Sequence, residues 1–448
     1  MDFQTFKQIV IETAKAQGIT AYELYYQAEE STTVSAFKHE TNGFTSSMEG
    51  GVCFRCLYNG HMGYASTQEL SEDQAETLVH RAMDNAAVLE SNEPEFLSEG
   101  GKTYEPLELT SYALPNTQQL TDAVLKGQDA VYAADKQVVD GGTSEAFGQA
   151  IRIAIANSNG LDLSYENNLA GFVLSAVVSD GKVKANSYKI KVGSFDKLDL
   201  NELAGKAVQS AKDKLSAQVA PTGAYPVVFS PDAMADLLAT YSSVFSSESA
   251  QKGLSRLNDQ EGQTIASPVV TLVDDPFYKD SPMPIPFDAE GSPTHRKNII
   301  ENGVLNTLLY NLKTASVAGK ETTGNAAKGS YASKVGVAPF TFYLAAGEMS
   351  EEELLKKAGN GVYINSLGGL HAGANVISGD FSLQSSGFMI ENGEKTTAVK
   401  SFTVAGNFYD LLKQITAVAS NLELPDAMGI TNFASPSVLV EGLSIAGK

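Results

Sequence analysis

Side chains able to do chemistry are few in this sequence and widely scattered. It holds two cysteines and five histidines in 448 residues. Cys53 and Cys56 make a Cys-x-x-Cys, half of a zinc knuckle, but no second Cys/His pair follows at ligand spacing. Residues three apart in an alternating strand point to opposite faces, so the pair reads more simply as two ordinary strand cysteines. His39-Glu40 has no second histidine four or five positions on, so a helical zinc motif is not completed. His61 sits beside a hairpin turn and His80 inside an amphipathic helix, and both read as surface or partly packed residues. His295 follows Asp288 and Glu290 in a polar loop, and His371 lies in a Gly-rich turn ahead of Asp380 and Ser382. With these carboxylates they form a candidate metal or acid/base set, spread over about ninety positions. The sequence has no Gly-x-Ser-x-Gly elbow and no Walker-type loop. Gly324-Asn325-Ala326 could offer backbone amides to an anion, although a plain turn is the simpler reading.

The elements that must carry these residues point to an α+β protein of two domains. Hydrophobic residues make up 43% and charged residues 19%, a globular composition, and the length exceeds one ordinary core. The formal charge of -21 opposes a phosphate-binding surface, so nucleic acid is not expected as a direct partner. No basic-then-apolar leader opens the chain, no apolar run is long enough to span a bilayer, and two cysteines cannot build a disulfide framework. A cytoplasmic protein without membrane contact is expected.

Along the chain, Phe3 to Ala16 has a helical stripe with Gly18 as its stop. Strands are expected over 21–27 and 32–37, joined around Glu29 to Ser31, and over 51–58 and 61–66 with Asn59-Gly60 as the turn. A Ser71-capped helix runs to about Leu89, and a Pro-containing connection covers 91–115. A helix over 121–134 precedes strands over 150–156, 161–165, 171–179 and 182–192, then a helix over 198–215. The Pro221 stretch, 216–223, is the best linker. It divides an N-terminal domain of hairpins and helices, 1–220, from a β-rich C-terminal domain, 221–448. There, Ser230-Pro231 opens a helix to about Phe245. The region 253–339 is loop-rich, and Pro282, Pro284 and Pro286 exclude a helix. Further elements are expected at 351–358 (helix), 368–406 (hairpin strands around Asn392-Gly393), 407–420 (helix) and 437–445 (strand). Phe388, Ile390, Val399, Phe402 and Val404 would form the buried face of that hairpin.

Several stretches in this order resemble the TldD/PmbA (TldE) peptidase family, members of which have been called modulators of DNA gyrase. They are Phe-Asp-Ala-Glu-Gly-Ser-Pro-Thr at 287–294 and Ile-Ile-Glu-Asn-Gly-Val-Leu at 299–305. Thr-Gly-Asn-Ala at 323–326, Gly-Asp-Phe-Ser at 379–382, Ile-Glu-Asn-Gly at 390–393 and Ser-Pro-Ser at 435–437 continue the pattern. Gly-Tyr-Ala-Ser-Thr at 63–67 belongs with them. The resemblance implies a heterodimer in which the TldD-type subunit carries zinc and the PmbA/TldE type is its partner, together cutting unfolded or modified peptides in the cytosol.

It also implies which half this chain is. The TldD type carries His-Glu-x-x-x-His in the helix after the domain boundary and a cysteine ligand near the C-terminus. Here Ser230, Pro231 and Ala235 stand at those positions, and 426–431 offers no thiol. None of these can hold Zn²⁺. The expectation is therefore a PmbA/TldE-like subunit with no catalytic residue and no metal of its own, with zinc in a TldD-type partner. Its partners would be that subunit or a second copy, and peptides. His295, His371, Asp380 and Ser382 are left as candidate walls of a peptide groove. Two rivals stand beside this: an independent hydrolase using His295, His371 and Asp380, and a regulatory binding protein.

Overall fold

A computed structural model describes residues 1–90, 94–106, 113–193, 195–279, 281, 283–424 and 429–447. Pro282, parts of the 91–115 connection and Asp426 to Met428 lie outside the described residues. Among the described residues helices mix with four sheets, two of them seven-stranded, and the fold is α+β.

The first sheet is antiparallel and belongs to the N-terminal half. Its strands are β1 (Tyr22–Phe37), β2 (Glu40–Tyr58), β3 (His61–Thr67), β4 (Val138–Asp140), β5 (Ser144–Asn157), β6 (Asp162–Ser179) and β7 (Lys184–Val192). The order is β3-β2-β1-β5-β6-β4, with β7 also paired to β6. Asn59-Gly60 turns β2 into β3 with positive φ at both residues, as expected for a two-residue hairpin. One expected break is missing: β1 runs straight through Glu29 to Ser31. Those residues pair with Ser47 to Glu49 on one side and Gln149 to Ile151 on the other, and two ladders override their turn-like polarity. For the same reason 161–165 and 171–179 merge into β6, paired with β5 from Asp162 to Val173 and with β7 from Gly171 to Ser179.

Helices α1 (Phe3–Ala16), α2 (Glu72–Ala87), α3 (Thr117–Ala134) and α4 (Leu200–Leu215) cover this sheet. Helix α3 starts four residues before its expected start because Asn116 and Gln119 form a capping box. Cys53 and Cys56 are both buried and free. They serve cores on opposite faces, Cys56 under α1 and α2 and Cys53 against the C-terminal half.

That second contact seats one half on the other. Met283, Ile285, Phe287, Ala289 and Phe340 pack on Tyr25, Ile151, Ile153, Ile155, Tyr165 and Leu169 of the first sheet. The Phe287 ring meets Tyr165 edge-on with 5.0 Å between centroids. Three carboxylates, two in the loop and Asp274 at the end of the strand Leu272–Asp274, hold this segment in place. Asp288 accepts from the backbone N–H groups of Glu290, Ser292 and Ala326, each at 2.9 Å. Glu290 accepts from Leu312 N–H at 2.8 Å. Asp274 binds Lys297 Nζ at 3.1 Å, Asn325 Nδ2 at 2.7 Å and Phe340 N–H at 2.8 Å.

The second seven-stranded sheet has the order Ile415–Val418, Val438–Ala446, Gly223–Phe229, Gly361–Gly368, Asp380–Glu391, Glu394–Asn407 and Gln218–Val219. Its Asn392-Gly393 turn has positive φ at both residues, and Ile390, Val399, Phe402 and Val404 are buried. Phe388 is half-buried. Helix α5 (Pro231–Tyr241), opened by Ser230, packs its Leu237, Leu238 and Tyr241 into the main C-terminal core. Tyr241 stacks on Phe408 at 4.5 Å. The helix expected over 407–420 is shorter, Phe408–Gln414. Ile415–Val418 instead pairs with Val438 to Val440, where β-branched residues fit a ladder better than a helix. No described helix is long and apolar enough to cross a membrane.

Candidate functional site

A cleft of about 760 Å³ opens between the two halves. One wall is Asn186 to Ile190 of β7 with Asp213 and Lys214 of α4; the other is the start of α5 with strands of the second large sheet. Ser230, Pro231 and Ala235 all line it. The sequence dictates this corner locally. Ser230 leaves the strand Gly223–Phe229 in extended conformation, and its Oγ accepts from Ala233 N–H at 3.2 Å. Pro231 then occupies the first helical position, where its missing N–H costs nothing.

Two carboxylates one turn apart on α5, Asp232 and Asp236, also face the cleft. Burial, reinforced by Asp232, pushes Asp236 up to about 6. Lys189 of β7 reaches Asp232 at 3.3 Å and so links the walls. Lys214 donates to the Asn186 carbonyl, and its amine is held below the ordinary lysine range by burial and then by Lys189. Across the cleft, Glu351 accepts from Ser437 Oγ at 2.8 Å, Asn421 Nδ2 at 3.0 Å and Lys395 Nζ. The Lys395 ammonium lies 3.5 Å from the centroid of the Tyr363 ring. Burial works to raise the Glu351 carboxyl, but Lys395 and the Ser437 and Tyr363 hydroxyls outweigh it and hold it below the usual range.

Zinc does not fit this donor set. Tetrahedral sites draw on imidazole, thiolate and carboxylate. The lining has carboxylates but neither imidazole nor thiolate, and the three positions of the His-Glu-x-x-x-His pattern hold a hydroxyl already used as a cap, an imide and a methyl. Among the described residues no three His, Cys, Asp or Glu side chains gather closely enough to hold a metal.

The other sequence candidates lie elsewhere, and none of them lines the cleft. His295 is half-buried, and its imidazole is pushed down by burial and then by Lys297. Its charged neighbours are Lys297, Asp274 and Glu105, so it does not join the remaining three. His371 is exposed on the turn Leu370–Gly373, which abuts Ser382, since a Cβ on Gly373 would come 2.4 Å from the Ser382 carbonyl. Asp380 accepts from Asn407 Nδ2 at 2.8 Å, and that bond holds its carboxyl below the usual range. Nearby, Arg256, Asn375 and Ser378 line a shallow hollow of about 410 Å³. The structure thus brings the turn that carries His371 beside the start of the strand that carries Asp380 and Ser382, and leaves His295 out. Asp232, Asp236, Glu351, Lys189, Lys214 and Lys395 were missed. The four-residue spacing of the two aspartates on an expected helix was a readable signal; the partners across the cleft left none.

Comparison with known proteins places these features in a group. Family models match residues 22–86, 113–215 and 222–447, as the PmbA/TldA metallopeptidase domain 1, central domain and C-terminal domain. A metalloprotease PmbA homologue of Haemophilus influenzae is 26% identical, with 98% of this chain and 94% of that protein covered. An uncharacterised protein of Methanocaldococcus jannaschii is also 26% identical, covering 97% and 98%. Among solved structures, a Thermotoga maritima protein described as a candidate modulator of a DNA gyrase superposes with a TM-score of 0.89. It is 31% identical, over 99% of this chain and 100% of its own. TldE from Thermococcus kodakarensis superposes with a TM-score of 0.87 over 98% and 99%, and at 23% identity it speaks for the fold alone.

Proposed function

This chain belongs to the PmbA/TldD metallopeptidase family, and from that membership we propose that it is a PmbA/TldE-type partner subunit carrying no zinc of its own. It would work in the cytoplasm with a zinc-bearing TldD-type chain in the proteolysis of unfolded or modified peptides. The observation that carries this reading is the corner at α5: Ser230, Pro231 and Ala235 face the cleft where two imidazoles and a carboxylate would have to stand. Proline cannot act as a general base, and neither a capping hydroxyl nor a methyl replaces imidazole.

The cleft supports a role in holding peptide. Among the described residues β7 pairs with β6 alone, so the outward N–H and C=O groups other than the Asn186 carbonyl, which Lys214 occupies, can receive an extended chain by strand addition, whatever its sequence. Lys189, Lys395, Asp232 and Glu351 would meet its side chains or termini. The test is to purify the chain alone and with a TldD-type partner, then measure zinc content and chelator-sensitive cleavage of an unfolded peptide. Zinc and activity should appear only with the partner. Stoichiometric zinc with chelator-sensitive cleavage by this chain alone would overturn the proposal.

A regulatory reading draws on the likeness to the Thermotoga protein. The charge of -21 disfavours direct DNA contact, but an acidic surface can compete for a basic one. A pull-down that recovers gyrase and no TldD-type chain would favour it.

A further inference from the structure

Arg256 carries a guanidinium that the chain itself leaves unused. Arg55, Arg152 and Arg296 each pair with a carboxylate. Arg256 instead lies over the Tyr409 ring, 5.3 Å from its centroid, and its backbone N–H donates to the Tyr409 hydroxyl at 3.3 Å. Among the described residues its guanidinium makes no ion pair and no hydrogen bond, in a chain of formal charge -21. Asp380 feels its charge but is held by Asn407 Nδ2 at 2.8 Å. The base under the guanidinium is fixed. A Cβ on Gly379 would come 2.5 Å from the Tyr409 ring, and Asn407 Oδ1 accepts from Tyr409 N–H at 3.1 Å. Ser255 Oγ donates to the Val244 carbonyl at 2.6 Å and accepts from Leu257 N–H at 3.1 Å. Arg256 therefore presents its donors from a rigid support into the hollow of about 410 Å³ that it shares with Asn375, Ile377 and Ser378. Asn375 Oδ1 accepts from the N–H groups of Ile377 and Ser378 at 3.1 and 3.0 Å, which leaves its Nδ2 to donate elsewhere. Ile377 in the lining and Leu254 beside it are exposed at 52% and 43%.

We propose that this hollow binds the C-terminal carboxylate of a peptide whose last residue is aliphatic. The inference rests on the peptide-holding role proposed above and names the end of the peptide that is held. A guanidinium fork matches a carboxylate with two parallel hydrogen bonds, and Asn375 Nδ2 supplies a further donor. An aliphatic last side chain would cover Ile377 and remove its apolar surface from water. Inorganic phosphate could satisfy the fork but not Ile377, so the apolar rim is what favours a peptide end. Helix α5 separates this hollow from the cleft. Ser230 lines the cleft at one end of the helix, and Tyr241 at the other donates to the Asp380 carbonyl at 2.9 Å. The hollow is thus a second contact for the substrate, and capture of a main-chain terminus tolerates varied sequence.

Fluorescence anisotropy on the full chain tests it, with a Gly/Ser peptide labelled at its N-terminus and ending in leucine, as the free acid and as the amide. The acid should bind at least about tenfold tighter than the amide. Arg256→Gln should erase that difference, and Arg256→Lys, which keeps the charge but not the fork, should retain part of it. Ile377→Ser should narrow the preference for a final leucine over a final glycine while leaving the preference for acid over amide. Both side chains are exposed, so each variant should keep the wild-type Tm. Equal binding of acid and amide, or an acid preference that survives Arg256→Gln, overturns this inference alone. Displacement by inorganic phosphate at equal concentration, with no leucine preference, would make the hollow a free-anion site and overturns it too. If neither peptide binds, the peptide-holding role fails along with it.

Discussion

In the segment 283–294 each carboxylate is closed in by backbone amides, whereas on α5 Asp232 and Asp236 look into an open cleft. Asp288 and Glu290 are 2% and 4% exposed, and their partners are N–H groups of their own loop, of Ala326 and of Leu312 at a helix start. They tie down a stretch that has no helix or strand to satisfy its backbone. Asp232 and Glu351 bind lysines instead, which can exchange partners when a ligand arrives. The conspicuous acidic motif thus builds the joint between the halves, and the inconspicuous acids line the space where a ligand can enter. A motif readable in one dimension can be architecture.

The contrast is broken most severely by Asp274→Ala. It would leave Lys297 buried without its counter-charge and two donors unpaired, at a cost of about 3–5 kcal/mol, read as a lower urea midpoint. A smaller effect separates the regions by pH. Burial raises both acids of the joint, Glu290 further, to about 8 with Asp288 beside it, while three amide donors limit Asp288 to about 6. A carboxyl raised on folding binds its proton more tightly in the native state. Stability should therefore fall as pH rises from about 4 towards 8, by up to about 1.4 kcal/mol per pH unit for each group titrating. Glu290→Gln should flatten that slope above pH 6 in urea titrations, and an unchanged slope would mean the proton resides elsewhere.

On the cleft side, Ser230→Ala removes the cap of α5 and should cost about 1 kcal/mol in thermal unfolding. If the position has no ligand role, zinc content should not change. The smallest effect on stability is expected from Asp232→Ala, which breaks a half-exposed pair worth about 0–1 kcal/mol. The same change should weaken binding of a peptide with a basic residue or free N-terminus, measured by fluorescence anisotropy. Equal binding by wild type and variant would move peptide recognition out of this cleft.

Much of the fold was legible because its signals are local. The stripe of α1, the cap of α5 and the two Asn-Gly hairpins sit where local chemistry puts them, while Ser71 stands at the N-cap position of α2 without a side-chain capping bond. The opposite-face burial of Cys53 and Cys56 followed from strand alternation. The misplaced joins at Glu29 to Ser31 and within β6 were decided by ladders from distant strands. Residues 40–50 of β2 were not expected as strand at all, because their Gly, Ser and Thr residues carry little hydrophobic alternation. At the cleft, the departures Ser230, Pro231 and Ala235 were readable, while Glu351 and Lys395 were not, since forty-four positions separate them.

By itself the sequence determined the family and the absence of histidine and glutamate at the start of α5, because both are matters of residue identity in order. Tertiary structure alone decided that this corner faces a cleft, that β7 supplies the opposite wall, and that the Asp288 and Glu290 carboxylates are consumed by the joint. Hydrogen-bond partners and burial depend on which distant segments meet. The 283–294 loop has no partners of its own until the first sheet provides the surface it packs on.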